Sequence, residues 1–241
     1  MRGYEKHHID SARVYRFIRI ERVAHWINAV SFFFLAFTGL ILLLRNPLSL
    51  SRETVTGLHD WHLYVGAVYF FGPALVFLIG DWRAGLRWTG SAFRWTPSEV
   101  IWLMGPMRKV IYRRRPEPEV GRFNAGQRLN MLGQLVGKWA LGITGYLMHI
   151  ETGQLLMYTI HVSLFAALMF LVGGHVYMGL INPSTRHSRH AIWGGFVHLE
   201  WIDHHHPGWV KKLPRAGESL PSGPPHKETA SPAPKSEGKK K

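Results

Sequence analysis

The chain has 241 residues, with Lys+Arg 29 against Asp+Glu 15 and a formal net charge of +14. It contains no cysteine, which excludes a disulfide framework, a thiolate zinc site, iron–sulfur ligation and covalent c-type haem attachment. A pI near 10.4 would point to nucleic acid in a soluble protein, but the bases lie outside four long apolar stretches, so membrane orientation accounts for them better and no nucleic-acid partner is expected.

In chain order, residues 1–23 form a basic arm. Arg13, Arg16, Arg19 and Arg22 recur at every third position, which predicts a short surface helix against lipid headgroups. Residues 24–44 then run without a formal charge for about the length of a bilayer core. That run is too long for a signal-peptide core and reads as an uncleaved membrane helix. A loop, 45–57, leads to a second span at 58–80, with His59, Asp60 and His62 in its first turns and Pro73 inside it. The proline predicts a kink whose freed carbonyl is satisfied by neighbouring groups.

The connection 81–128 is basic, with Arg83, Arg87, Arg94, Arg108, Lys109 and the run Arg113, Arg114, Arg115, and its tryptophans suit a membrane interface. The third span, 129–149, is the most polar, with Asn130, Gln134 and Lys138. The fourth, 155–181, is strongly apolar. Residues 183–212 read as an amphipathic cytoplasmic surface segment, and 213–241, rich in Pro, Ser, Lys and Gly, as a disordered tail. The loop 45–57 and the turn 150–154 carry only Arg45 and Arg52 among the basic residues. The positive-inside rule therefore puts both termini in the cytoplasm. The expected fold class is all-α: an integral membrane four-helix bundle whose membrane domain covers 24–182.

Four histidines sit within these spans: His25, His62, His161 and His175. Neutral imidazole is the usual protein ligand for iron, and a polar ring in lipid needs a partner. His161 and His175 are fourteen positions apart, an offset that returns to nearly the same helix face with a rise of ~21 Å. The topology places His62 and His161 near the outer surface, and His25 and His175 near the cytoplasmic one. Two depth-matched pairs predict two b-type haems, each six-coordinate and suited to electron transfer. Gly39, Gly66, Ala166, Ala167, Gly173 and Gly174 would leave room for a flat macrocycle, although small residues in membrane helices also serve close helix packing. His59 and His149 are also near the outer face, and His59 is an alternative to His62. The run His204, His205, His206 reads by default as a solvated segment.

Several motifs now carry a resemblance. Arg22–Trp26 (RVAHW) opens the first span and His62–Gly66 (HLYVG) lies in the second. FNAGQ at 123–127, Thr144–Gly145, the His161/His175 pair and HHPGW at 205–209 follow. Over residues 14–212 the chain resembles the gamma subunit of respiratory formate dehydrogenase, the membrane cytochrome b556 of that complex.

The resemblance implies two b haems, the outer on His62 and His161 and the inner on His25 and His175. It also implies a quinone site, in the usual case for menaquinone, at Asn124, Gly126 and Gln127 beside His175. The implied partners are an iron–sulfur beta subunit, a molybdenum or tungsten catalytic alpha subunit, membrane lipid, and further copies of the complex where it oligomerises. The implied location is the bacterial inner membrane. No centre for formate chemistry is visible in the chain itself, so quinone reduction is its only expected chemistry.

Two departures stand out: Leu63 occupies a position where the family has proline, and Lys138 falls near the midplane of the third span. The histidine spacing alone also admits the cytochrome b of a hydrogenase or of a thiosulfate or polysulfide reductase. A haem-free anchor or transporter is the rival class.

Overall fold

Runs of uncharged, helix-compatible residues long enough to cross a bilayer set the architecture. In the computed structural model, which describes residues 9–10, 12–104 and 119–213, most of the chain is helical. Residues 1–8, Arg108, Lys109, Arg113–Arg115 and the tail after Leu213 lie outside the described residues. Helix α1 spans Arg19–Leu43, and Glu21 reaches back to accept the Ile18 N–H at 3.1 Å. Helix α2, Arg52–Gly80, starts at a Ser51 cap whose Oγ accepts the Thr54 N–H at 3.2 Å. These two long helices form an antiparallel hairpin.

Short helices α3 (Trp82–Phe93) and α4 (Pro97–Leu103) follow, capped by Asp81 and Thr96. Helix α5, Ala125–His149, ties them in: Arg128 donates to the Ser91 carbonyl at 2.9 Å and pairs with Glu99 at 2.8 Å. Helix α6, Gln154–Val176, returns along α5 and continues as a π-helical turn, Tyr177–Ile181. Three of these segments, Arg19–Leu43, Arg52–Gly80 and Gln154–Ile181, are long and apolar enough to cross a membrane. Helix α5 is as long as α1 but more polar, because Asn130, Gln134 and Lys138 interrupt it. All four long helices meet in one apolar cluster of Phe32, Tyr69, Leu168 and Val172, with Leu35 and Leu141 packed against it. Their outer faces leave large apolar side chains such as Phe37, Phe71, Leu78 and Phe170 exposed, which suits a lipid solvent rather than water.

At one end of the helices the chain builds a small cap. Strands β1 (Ile9–Asp10), β2 (Arg13–Tyr15) and β3 (Phe196–His198) pair antiparallel in that order, Val14 facing Val197. Short helices α7 (Arg189–Trp193), α8 (Leu199–His205) and α9 (Pro207–Val210) surround the sheet. The cap has its own apolar core of Val14, Ala191, Val197, Ile202 and Trp209.

Two expectations change here. The arginine repeat does not make a surface helix. Arg13, Val14 and Tyr15 form a strand instead, Arg16 is almost fully buried, and the helix begins only at Arg19. The reason is pairing: β2 has a partner strand 183 positions later, which local spacing cannot reveal. The all-α reading likewise omitted this sheet, whose strands are two or three residues long.

A tight turn closes the cap. Gly195 has φ +94°, and its carbonyl accepts the N–H groups of Arg16 at 2.7 Å and Phe17 at 3.1 Å. An added Cβ would lie 2.7 Å from Tyr15 and 3.0 Å from the Phe17 carbonyl oxygen. Gly195→Ala is expected to destabilise the cap by roughly 1–3 kcal/mol, read as an earlier thermal transition of the detergent-solubilised protein. An unchanged transition would mean that the turn relaxes without cost.

Candidate functional site

Helix α2 presents His62 to α1, and helix α6 presents His161 to α5, in matching surroundings. The Thr38 hydroxyl lies 2.8 Å from His62 Nδ1 and also donates to the Phe34 carbonyl at 3.0 Å. The Thr144 hydroxyl lies 2.9 Å from His161 Nδ1 and donates to the Ala140 carbonyl at 2.8 Å. A hydroxyl has one proton. With that proton committed to the helix carbonyl, each threonine accepts, and each histidine carries its proton on Nδ1. The Nε2 lone pair is then left for another partner. The residue after each threonine is glycine. A Cβ on Gly39 would lie 3.2 Å from His62 Cε1, and one on Gly145 3.4 Å from His161 Cε1. Each Thr–Gly pair therefore holds one ring by its Nδ1–H and by its edge. His161 also lies within electrostatic reach of His62.

His59 stands apart from this arrangement. Its side chain is half exposed beside Asp60, and its ring stacks 6.4 Å from His149.

At the other end of the long helices, the rings of His25 and His175 lie side by side, tilted at 53° with centroids 6.3 Å apart. Two metal–imidazole bonds of ~2 Å, with ~1 Å more from each ring's donor atom to its centre, span ~6 Å. The observed spacing fits one metal between them. His25 Nδ1 is buried without a hydrogen-bond partner. His175 Nδ1 lies 3.4 Å from Asn130 Nδ2. A Cβ at Gly66, Gly173 or Gly174 would meet nothing within 4 Å, so open space flanks the histidines of α2 and α6. Among the described residues no group of three or more His, Cys, Asp or Glu is placed to hold a bare ion. Paired rings with open flanks fit a metal that brings its remaining ligands with it, as in a porphyrin.

The loop before α5 is built as a helix cap. Asn124 Oδ1 accepts the Gln127 N–H at 2.8 Å, and Gln127 Oε1 accepts the Asn124 N–H at 3.1 Å. This reciprocal box leaves the Asn124 Nδ2 amide outside the cap. A Cβ on Gly126 would touch Trp102 and Asn124 only at ordinary contact distances.

Beneath the loop lies a buried charged network. Arg122 Nη2 donates to both Glu21 oxygens at 2.9 Å and to the Arg16 carbonyl at 2.9 Å. Arg16 Nη2 donates to the Arg122 carbonyl at 3.0 Å and to His206 Nε2 at 3.2 Å, and approaches Gln127 Oε1 at 3.5 Å. His206 Nδ1–H donates to the Gly121 carbonyl at 2.7 Å. Burial, and secondly the charge of Arg122, lower the Arg16 pKa to about 9, which leaves it cationic at neutral pH.

The histidine run thus divides. His204 is exposed, His205 stacks on Trp201 at 4.3 Å, and His206 is only 2% exposed. Reading the run as a solvated segment fails for His206, because both its ring nitrogens have partners inside the cap. Gly208 is required as well, since a Cβ there would lie 2.9 Å from Glu119 and 3.2 Å from two backbone oxygens. Trp209 fills the cap core.

Lys138 has partners too. Its Nζ donates to Asn28 Oδ1 and to the Tyr69 carbonyl at 3.1 Å, and lies 4.2 Å from the centre of the Tyr69 ring. The Tyr69 carbonyl is free because the residue four positions on is Pro73, which has no N–H to donate.

Sequence reasoning singled out the four span histidines. It missed the acceptor roles of Thr38 and Thr144 and the tie from Arg16 to His206. The repeated Thr–Gly pair, one in each hairpin, was the available signal for the threonines.

Comparison with known proteins agrees with the helical plan. The family described as prokaryotic cytochrome b561 matches residues 16–195. The chain is 23% identical over 214 residues to the formate dehydrogenase cytochrome b556 subunit of Haemophilus influenzae, covering 84% of each. It is 23% identical over 215 residues to the formate dehydrogenase cytochrome b556(fdo) subunit of Escherichia coli K12, covering 85% of this chain and 95% of that one.

His206 gives a pH prediction. Burial first, then the charge of Arg16, depress its pKa from 6.5 to about 3. A protonated ring loses the Nε2 lone pair that Arg16 donates to. The stability this histidine contributes is therefore complete above about pH 6.5 and falls as pH drops toward about 3. Amide exchange in residues 119–127, expressed relative to the intrinsic rate at each pH, should accelerate as pH falls across that window, and His206→Ala should remove the dependence while raising this relative exchange at every pH. Flat exchange in the unaltered protein would refute the arrangement.

Proposed function

Because the chain belongs to the prokaryotic cytochrome b561 family, we propose that it is the membrane cytochrome b subunit of a respiratory formate dehydrogenase. In this reading it spans the bacterial inner membrane four times with both termini cytoplasmic. It conveys electrons from a periplasmic iron–sulfur beta subunit, fed by a molybdenum or tungsten alpha subunit, to quinone near the cytoplasmic face. The observation that carries the reading is the pair of Thr–Gly cradles, which turn His62 and His161 to the same tautomer with Nε2 free.

His62 and His161 would hold the outer haem b, and His25 and His175 the inner one. Haem b, when bound, supplies one-electron chemistry at its iron. The protein's part is orientation. Thr38 and Thr144 fix the rings and raise their basicity as ligands by accepting the Nδ1 proton. The 6.3 Å spacing between the ring centroids of His25 and His175 supports the inner pair. Four spans are favoured because α5 matches α1 in length and shares one apolar cluster with the other three long helices. The basic cap at the His25 end fits a cytoplasmic face.

Quinone is assigned to Asn124, Gly126 and Gln127 beside His175. Asn130, six positions along α5 from Asn124, reaches His175, so the loop and that ring share one end of the helices, ~9 Å apart by helical rise. Asn124 Nδ2 is the donor left for a quinone carbonyl, and protons would enter from the cytoplasm. Electrons moving inward while formate oxidation releases protons outside would store ~2.3 kcal/mol per charge per 100 mV.

Dithionite-reduced spectra with haem quantification on the purified complex test the reading. Two haems b per chain are expected, and absence of reducible b-type absorption would sink it, leaving an anchor or transporter. A copurifying hydrogenase or a thiosulfate or polysulfide reductase, in place of formate dehydrogenase, would change the donor. His175→Ala should leave one haem that the donor still reduces and should abolish quinol formation; two retained haems would overturn the pairing. Thr38→Val should weaken outer-haem retention by about 10–100-fold and leave the inner haem in place. Asn124→Ala should keep both haem spectra and slow quinol formation, at a cost of ~1 kcal/mol for the lost cap. Collapse of haem content in that variant would make Asn124 purely structural.

A further inference from the structure

Lys138 carries a charge at mid-span that the histidines do not explain. Its ammonium has three N–H donors, and it meets three acceptors: Asn28 Oδ1, the Tyr69 carbonyl and the face of the Tyr69 ring. None of the three is an acid. The cage stabilises a cation without cancelling its charge, and it is tailored to the protonated form, since a neutral amine would turn a lone pair toward carbonyl oxygen.

The position of this charge follows from four helices independently. On α1, Asn28 lies three positions beyond His25 and ten before Thr38, which holds His62. On α2, Tyr69 lies seven positions beyond His62. On α5, Lys138 lies eight positions beyond Asn130, the neighbour of His175, and six before Thr144, which holds His161. On α6, a Cβ at neighbouring Gly137 would press on Leu168, which is seven positions from both His161 and His175. The intervals of six to eight positions on α2, α5 and α6 are ~9–12 Å of rise, and those of three and ten on α1 are ~4.5 Å and ~15 Å. The ammonium thus lies between the two histidine pairs, in the part of the protein where water screens least.

We propose that Lys138 is a fixed positive charge shared by the two redox centres, raising the affinity of both for an electron. The proposal rests on the dihaem reading above. Uncancelled positive charge in a low-dielectric interior lowers the energy of any nearby site that gains an electron. The effect at the two sites has the same sign, because the charge lies between them. Lys138 makes and breaks no bond in this role and keeps its proton throughout; the electrons would come from the donor subunit and leave to quinone.

Equilibrium redox titration of the purified complex, followed at the b-type absorption bands, tests this. Lys138→Met is expected to lower both midpoint potentials with the haem content unchanged, and Lys138→Arg to restore them toward the original values. Should Lys138→Met lose haem or fail to assemble, Asn28→Asp serves, because it keeps the ammonium and cancels its charge; both midpoints should again fall. Unchanged midpoints in a loaded Lys138→Met or Asn28→Asp protein would overturn the proposal and leave the dihaem reading intact. Absence of reducible haem in the unaltered protein would instead overturn the dihaem reading, and this proposal with it. A readout independent of haem is the ¹⁵N resonance of Lys138 Nζ in protein prepared without haem. An ammonium signal at neutral pH is expected, and an amine signal would overturn the proposal.

Discussion

A histidine within an apolar span must commit both ring nitrogens, because neither can turn to water. The structure meets this requirement twice with one device. A threonine hydroxyl gives its only proton to its own helix, so it can only accept from the ring beside it. That settles which nitrogen keeps a lone pair. The glycine that follows lets the ring edge approach the helix backbone, so the same two residues decide both protonation and position. The two hairpins, α1–α2 and α5–α6, repeat the arrangement with the holding pair on the first helix and the histidine on the second.

Polar groups elsewhere in the spans obey the same economy. Pro73 removes a donor from α2 and strands the Tyr69 carbonyl, and Lys138 reaches across from α5 to take it up. Asn28 on α1 completes the junction, so three helices are joined at mid-depth by groups that would each be costly alone. The cap solves a harder problem, with two guanidinium groups and one carboxylate buried together. Arg16 and Arg122 exchange hydrogen bonds through each other's backbone carbonyls, which spreads their charge over groups that can bear it. Glu21 balances one of them, and neutral His206 accepts from the other. Pairing of this kind rarely adds net stability, yet loss of a single member leaves an uncompensated charge behind.

Much of this plan was legible in the residues. Long uncharged runs announce membrane-length helices, and histidines inside them announce a demand for ligands. The third span is expected from 129, and the reciprocal cap between Asn124 and Gln127 starts α5 four residues earlier, at Ala125. What escaped depends on which distant segments meet. Nothing local to Lys138 says that a carbonyl freed by a proline on another helix will face it. The arginine repeat at 13–22 imitates a helix face, but Val14 pairs with Val197 and draws the segment into a strand. His206 looks like its exposed neighbour His204 until α8 turns it inward, onto a carbonyl 85 positions earlier.

The cap is stitched from the two ends of the described chain, β2 near its start and β3 with His206 near its finish. On the ribosome the earlier strand, paired only with β1, must therefore wait for β3 while both helical hairpins are synthesised. The loop at 119–124, tied earlier through Arg122 to Glu21 and Arg16, gains its last anchor only once His206 has emerged to take the Gly121 carbonyl. Maturation of this end of the molecule is consequently a late event, and a chain halted before His206 would hold its long helices with the 119–124 loop fastened by Arg122 alone.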